Sequence, residues 1–370
     1  MTLIDVQSRL LVGALPAHLE AFSLTALEGV SSSGLAACLN ALPTSVRRLA
    51  FSGPSDSALF SMADVKLPPQ LEKLELSDVS ELTVLPPSLT SIALQHCWLL
   101  PALQLPASLT SACLGWSFGE DTALPGRQAR RVPALPQNLR TLELSALDPL
   151  PPVAPLPPML AHLKVPYTTY FTRHHGDNAF QPQPLAPLPS TLKTLEITED
   201  DIHVVELQPI LARLPPHLEV LDVSQCTNFN IALGQLPPTL TALHLGSRYT
   251  HALGPLPPSL TELQFHTSLG YFPTSLFNCP LEPLPTPLRM LDLSLCDLFG
   301  FPLGPLPPAL QELRLGDTFN QPLQPLPPAL EVLALGNAFN QSRCSALCRR
   351  HCGHSRWGTV SMRLSSYRRP

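Results

Sequence analysis

Charge is scarce in this 370-residue chain, at 14%, and aromatic residues make up only 6%. No stretch approaches the ~18–20 uninterrupted apolar residues of a membrane span, so no spanning helix and no membrane partner are expected. The opening Met1-Thr2-Leu3-Ile4-Asp5 lacks the basic start and apolar core of a secretory signal. The nine cysteines follow no regular pairing pattern over most of the chain. That argues against a disulfide framework and sets the expectation of a reducing compartment, cytoplasmic or nuclear. The chain also has no Gly-rich phosphate loop, no HExxH and no GxSxG, so neither a cofactor nor an enzyme activity is expected. Basic residues number 23 against 28 acidic, and seven arginines fall in 342–370, where there is no acid. An acidic body is a poor partner for nucleic acid, because phosphate contacts need clustered Lys or Arg.

What the chain has is proline and leucine together. The 45 prolines would ordinarily signal disorder, but a disordered chain should be poor in leucine. Repeats reconcile the two. A Leu-Pro pair recurs at Leu15, Leu42, Leu67, Leu85, Leu105, Leu135, Leu156, Leu188, Leu214, Leu236, Leu256, Leu284, Leu306 and Leu326. The shortest spacings set a period of about 20–22 residues, and the longer ones carry insertions.

The unit reads Leu-Pro-x-x-Leu-x-x-Leu-x-Leu, as in Leu306-Pro307-Pro308-Ala309-Leu310-Gln311-Glu312-Leu313-Arg314-Leu315. Pro307 and Pro308 fix φ and supply no N–H, which favours an extended, polyproline-like entry. Leu313 and Leu315 alternate with polar residues, the period-2 pattern of a short strand with one buried face. The remaining dozen residues leave little room for helix. The expected fold is a repeat solenoid over residues 1–341. It is leucine-rich-repeat-like, with short parallel strands on a concave face and extended or 3₁₀ segments on the convex side. Twelve residues after the Leu-Pro leucine stand Cys97, Cys226 and Cys296, with Thr168, Thr318, Ser117, Ser268 and Asp200 in the other units. Small hydrogen-bonding side chains there are expected to satisfy backbone groups where the chain leaves the strand.

The segment Leu313-Arg314-Leu315-Gly316-Asp317-Thr318-Phe319-Asn320-Gln321-Pro322-Leu323 resembles the FNIP repeat, a relative of the leucine-rich repeat named for a Phe-Asn pair before Pro-Leu. The pair recurs at Phe229-Asn230, Phe277-Asn278 and Phe339-Asn340, and the match is clearest over 214–341. The resemblance implies an intracellular protein-interaction module. Some relatives carry an F-box or kinase domain; with the first unit at Leu15, a bare repeat domain is expected. The skeleton is also similar to the substrate-binding arms of bacterial effector ubiquitin ligases. Those need a large helical catalytic domain after the repeats, and only 29 residues follow Gln341.

The default binding surface of such a fold is its concave strand face. Its central positions include Glu75, Glu143, Lys164, Glu196, Asp222, His244, Gln264, Asp292 and Arg314. The acidic excess mildly favours a basic ligand, against the plainer reading of an ordinary solvated face. The expected function is a non-catalytic scaffold binding a protein partner there. The alternative is a carbohydrate binder or enzyme using the insertion that holds Tyr167, Tyr170, His174, His175 and Asp177. Adjacent histidines in extended chain point to opposite sides, so no metal is expected there. Arg130-x-x-Pro133-x-x-Pro136 matches a basic-flanked PxxP, but a Pro-rich solenoid generates PxxP throughout. After Gln341 the composition changes to a basic tail. Cys344, Cys348, His351, Cys352 and His354 lack the usual C-x₂-C spacing, leaving zinc binding, a disordered tail or a mistranslated end as alternatives.

Overall fold

A computed structural model describes residues 2–3, 15–26, 31–54, 59–99, 103–116, 134–146, 156–166, 188–198, 213–226, 229–265, 274–323, 325–341 and 360–363. The chain divides into two compact units, Met1–Thr191 and Leu192–Pro370.

Each repeat begins with a turn rather than the extended entry that its prolines suggest. The second leucine of Leu-Pro-x-x-Leu donates its N–H to the proline carbonyl, as from Leu71 to Pro68 (3.2 Å) and from Leu310 to Pro307 (3.1 Å). A second proline, where present, falls at the first central position of this turn, where its fixed φ is pre-set. The closing leucine enters the core: Leu71, Leu109, Leu240 and Leu310 have no exposed surface. The strand follows two residues later. In Lys73–Ser77, Leu74 and Leu76 are buried while Lys73 is exposed and Glu75 and Ser77 half-buried. Full burial contributes roughly 1.5–3 kcal/mol per leucine, and neighbouring repeats supply the walls that make it full.

In the first unit, strands Thr2–Leu3, Ala21–Thr25, Arg48–Ser52, Lys73–Ser77, Ser91–Gln95, Ser111–Trp116, Thr141–Ala146 and His162–Pro166 pair in parallel, in sequence order. In the second, Thr194–Thr198, Val220–Asp222, Ala242–Leu245, Glu262–Phe265, Met290–Leu293, Glu312–Leu315 and Val332–Leu335 do the same. Val360–Arg363, inside the segment expected to be a disordered tail, pairs antiparallel with Val332–Leu335. That strand covers an edge that would otherwise offer its backbone to other chains.

A feature not anticipated from the sequence ties successive repeats together. The residue just before the second leucine is often Ser or Thr, and its hydroxyl donates to carbonyls of the preceding repeat. Ser88 lies 2.8 Å from the Leu71 carbonyl, Ser108 lies 2.7 Å from that of Leu89, and Thr239 lies 2.8 Å from that of Leu218.

Among the described residues, the return segments are built differently in the two units. In the first, Asp78 and His96 take left-handed φ values of 56° and 51° after equivalent strands. They turn the chain into a second parallel sheet of Phe60–Ser61, Val79–Leu82 and Trp98–Leu99. One helix, Ser32–Asn40, occupies the long first spacing, with Ser31 accepting from the Gly34 N–H at its start. No 3₁₀ segment occurs among the described residues.

In the second unit, the rings of the Phe-Asn pairs stack with Tyr249 and Phe299, which Thr250 and Gly300 follow. Phe229, Tyr249, Phe277, Phe299, Phe319 and Phe339 form a ladder with centroids 5.9, 6.3, 5.9, 6.0 and 6.3 Å apart and ring planes within 23°. The asparagines form a ladder beside it. The Asn230 side-chain oxygen accepts from the Thr250 N–H (2.9 Å), that of Asn278 from Gly300 (3.3 Å), and that of Asn320 from Asn340 (2.9 Å). Five of the six aromatic residues are set by a turn from their own N–H to the carbonyl three residues back, of Cys226, Gly246, Cys296, Gly316 and Gly336 in turn, while the Phe277 N–H donates to the Ser275 hydroxyl (3.3 Å). This alignment corrects the twelve-residue count. Gly316, not Thr318, stands in the place of Cys296, and Thr318 is exposed. Cysteine repeats contain two residues more before the aromatic residue than glycine repeats, which accounts for spacings of 22 and 20. The glycine is required by close approach: a Cβ on Gly316 would lie 2.8 Å from the Cys296 carbonyl oxygen.

Candidate functional site

Parallel pairing in register places the mid-strand positions in one row in each unit. The first unit's row runs Ser23, Ala50, Glu75, Ala93, Cys113, Glu143, Lys164. Glu143 and Lys164 are neighbours, but Glu75 is separated from them by Ala93 and Cys113. In the second unit the row is Glu196, Asp222, His244, Gln264, Asp292, Arg314 and Ala334. All six polar positions expected there are consecutive, one per strand at roughly 4.8 Å.

The second unit's row is joined by hydrogen bonds to a parallel row two residues earlier. His244 places Nδ1 3.1 Å from the Asp222 carboxylate and Nε2 3.0 Å from that of Glu262. Gln264 donates to the same Glu262 carboxylate. Asp222 also accepts from the Ser224 N–H at 2.8 Å. Burial alone would raise the Asp222 carboxyl, but the bonds from His244 and Ser224 outweigh it and hold it at about 2. Burial likewise works against a charged His244, and Asp222 and Glu262 reverse it, raising the imidazole above its ordinary value. Further along, Arg314 pairs with Glu312 and lies 3.7 Å from Asp292. The acidic excess anticipated for this face is therefore partly met from within. Glu262, Glu312 and Cys113 were not among the anticipated residues. Period-2 alternation places Glu262 and Glu312 two positions before the row, and Cys113 within it.

The three turn cysteines are buried. The thiols of Cys97 and Cys226 donate to the carbonyls of Gln95 and Ile197, each at 3.1 Å. Burial pushes Cys97 up to about 11 and Cys296, which is hydrogen-bonded by Ser275, up to about 12. Such thiols stay protonated near neutral pH, which suits donors and not metal ligands or nucleophiles. Among the described residues no group of His, Cys, Asp and Glu is arranged to hold a metal, and no helix is long and apolar enough to cross a membrane. Tyr167, Tyr170, His174, His175 and Asp177 lie outside the described residues, as do Cys344, Cys348, His351, Cys352, His354, Arg130 and Pro133.

Parallel one-strand repeats, leucine-filled and helix-poor, define a leucine-rich-repeat-like solenoid. The FNIP Repeat family model matches residues 228–268 and 301–338, so the chain carries FNIP repeats over those two segments. Among solved structures, it is similar to the circular leucine-rich-repeat protein CroV588, with 23% identity, a TM-score of 0.46, and coverage of 89% of this chain and 54% of that one. It is also similar to YopM from Yersinia enterocolitica WA-314, with 24% identity, a TM-score of 0.44, and coverage of 78% and 64%. The chain thus spans between about half and two-thirds of the length of these proteins. The sequence matches no curated protein. Repeats of the FNIP and leucine-rich kind are typically scaffolds for protein interaction and generally non-catalytic.

Proposed function

We propose that the chain is a non-catalytic scaffold that binds a protein partner through the exposed strand face of its second unit. The observation that carries this reading is the consecutive row Glu196, Asp222, His244, Gln264, Asp292 and Arg314. These side chains are half-buried and sit on strands. Several are held by their neighbours before any partner arrives, which reduces the ordering cost of association. The row carries groups of both signs with an acidic excess, so the partner presents charges of both signs with a basic excess. The thiol donors Cys97 and Cys226 need reduced cysteine, which supports a cytoplasmic or nuclear setting.

Quantitative affinity purification of the full chain against a Glu196→Lys/Arg314→Glu variant tests this. A protein enriched by the unchanged chain should drop by about tenfold or more with the variant, as expected when central charges are reversed. A Glu81→Lys variant, outside the row, should retain it. Undiminished recovery by a row variant with an unchanged melting temperature overturns the proposal.

A further inference from the structure

We infer that His244 is a pH-sensitive latch, which when protonated staples three adjacent strands of the second unit and on losing its proton releases one of them. The geometry leaves little choice of proton position. Both ring nitrogens face carboxylate oxygens, Asp222 at 3.1 Å and Glu262 at 3.0 Å. A neutral imidazole has one N–H and one lone pair, so it can donate to only one of them; the other carboxylate would face a lone pair. Placing a proton on Asp222 instead is opposed by its other bond. Asp222 already accepts from the Ser224 N–H, a bond that favours the ionised acid, and Glu262 accepts from the Gln264 amide as well as facing the ring. The imidazolium is therefore the state that satisfies all three groups.

The remaining charges near the ring act in the same direction or are already engaged. Strand Val220–Asp222 contributes Asp222, with Glu219 just before it paired to Lys193 at 2.8 Å. Strand Glu262–Phe265 contributes Glu262 and the neutral Gln264. One strand further on either side, the row carries Glu196 and Asp292, and Arg314 stands beyond Asp292 against Glu312. The nearer groups are acidic and hold the proton on the ring. The Asp222 and His244 side chains are 24% and 19% exposed. The charge lost on deprotonation is thus poorly replaced by solvent.

Two consequences follow for the face as a binding surface, and they rest on the reading of its function given above. Losing one proton makes the row more negative by one charge. It also frees a carboxylate to meet a partner's cation. Neutral-to-alkaline pH therefore shifts this face towards basic ligands, while acid closes the latch.

The latch is tested on the full chain without any partner. Long-range ¹H–¹⁵N NMR of the imidazole should show both ring nitrogens protonated at pH 6, with the titration midpoint above the ordinary histidine range. Asp222→Asn should lower that midpoint by about one pH unit or more, since it removes one of the two charged acceptors. The melting temperature of the unchanged chain should fall between pH 6 and pH 9 by more than that of His244→Gln. A midpoint at or below 6.5, or one unmoved by Asp222→Asn, overturns the latch whatever His244→Gln does to folding. A binding surface elsewhere would leave these readouts intact, so failure of the proposed function and failure of the latch are distinguishable.

Discussion

Two ways of bringing a chain back to its next strand meet in this molecule. Residues 59–99 return through left-handed Asp78 and His96 into a second strand layer, so backbone hydrogen bonds hold the return. The described residues of 229–341 return through stacked rings and asparagine bonds, so side chains hold the return. The leucine skeleton and the hydroxyl bonds between repeats are common to both. The leucine row specifies stacking, and the return is a separate choice. The second choice is demanding in sequence, because each aromatic residue must meet the one before it. That explains why the Phe-Asn motif is sharp where it occurs and lost elsewhere.

The two returns should differ most at the ring ladder. Phe299 has rings stacked on both sides, and Phe299→Ala should cost about 3–5 kcal/mol by removing a buried aromatic residue from a close-packed site. Hydrogen exchange should report the loss in residues 229–341 and leave 59–99 unaffected; an equal loss in both would make the returns energetically indistinct. Acid offers the next largest contrast. Asp222, at about 2 in the fold against 3.8 ordinarily, contributes about 2 kcal/mol that is present above pH 4 and lost as pH falls towards 2. His244 has the opposite sign: its raised value contributes stability below its ordinary 6.5, lost as pH rises through the folded value. Melting followed across pH should therefore be bell-shaped in Leu192–Pro370, and Asp222→Asn should flatten the acid limb.

Smaller effects sharpen what the units share. Thr239→Val and Ser88→Ala each remove a hydroxyl bond to the preceding repeat and should each cost about 1 kcal/mol. Similar losses in chemical denaturation would show a common device, and a silent Ser88→Ala would confine it to the second unit. Asn320→Ala should cost slightly less, about 0.5–1 kcal/mol, because its ladder bond to Asn340 is exposed. Its effect should be limited to the last repeats.

The strand row was legible in advance because alternation with period 2 assigns a face to each residue, and Glu196, Asp222, His244, Gln264, Asp292 and Arg314 were placed on it from spacing alone. The network between them was not. Whether His244 meets Asp222 and Glu262 depends on strand register and rotamer, which no count along one strand reveals. The turn position shows the same limit from another side. Counting twelve residues found Cys97, Cys226 and Cys296, yet it aligned Thr318 where the chain places Gly316. The Cys226 and Cys296 repeats carry two residues that the glycine repeats lack, and the turn before the aromatic residue and the approach of the Cys296 carbonyl identify the match.

The repeat, its leucine core and the side of the strand each residue occupies follow from local chemistry and periodicity along the chain. The tertiary structure alone decided the turn at the prolines, the ring and asparagine ladders, the glycine that fits beneath a neighbouring carbonyl, and the proton held between two carboxylates. Apart from the turn, which closes over three residues within a repeat, each of these is a contact between one repeat and the next. Its energy depends on distances across some twenty residues of chain, which only stacking fixes.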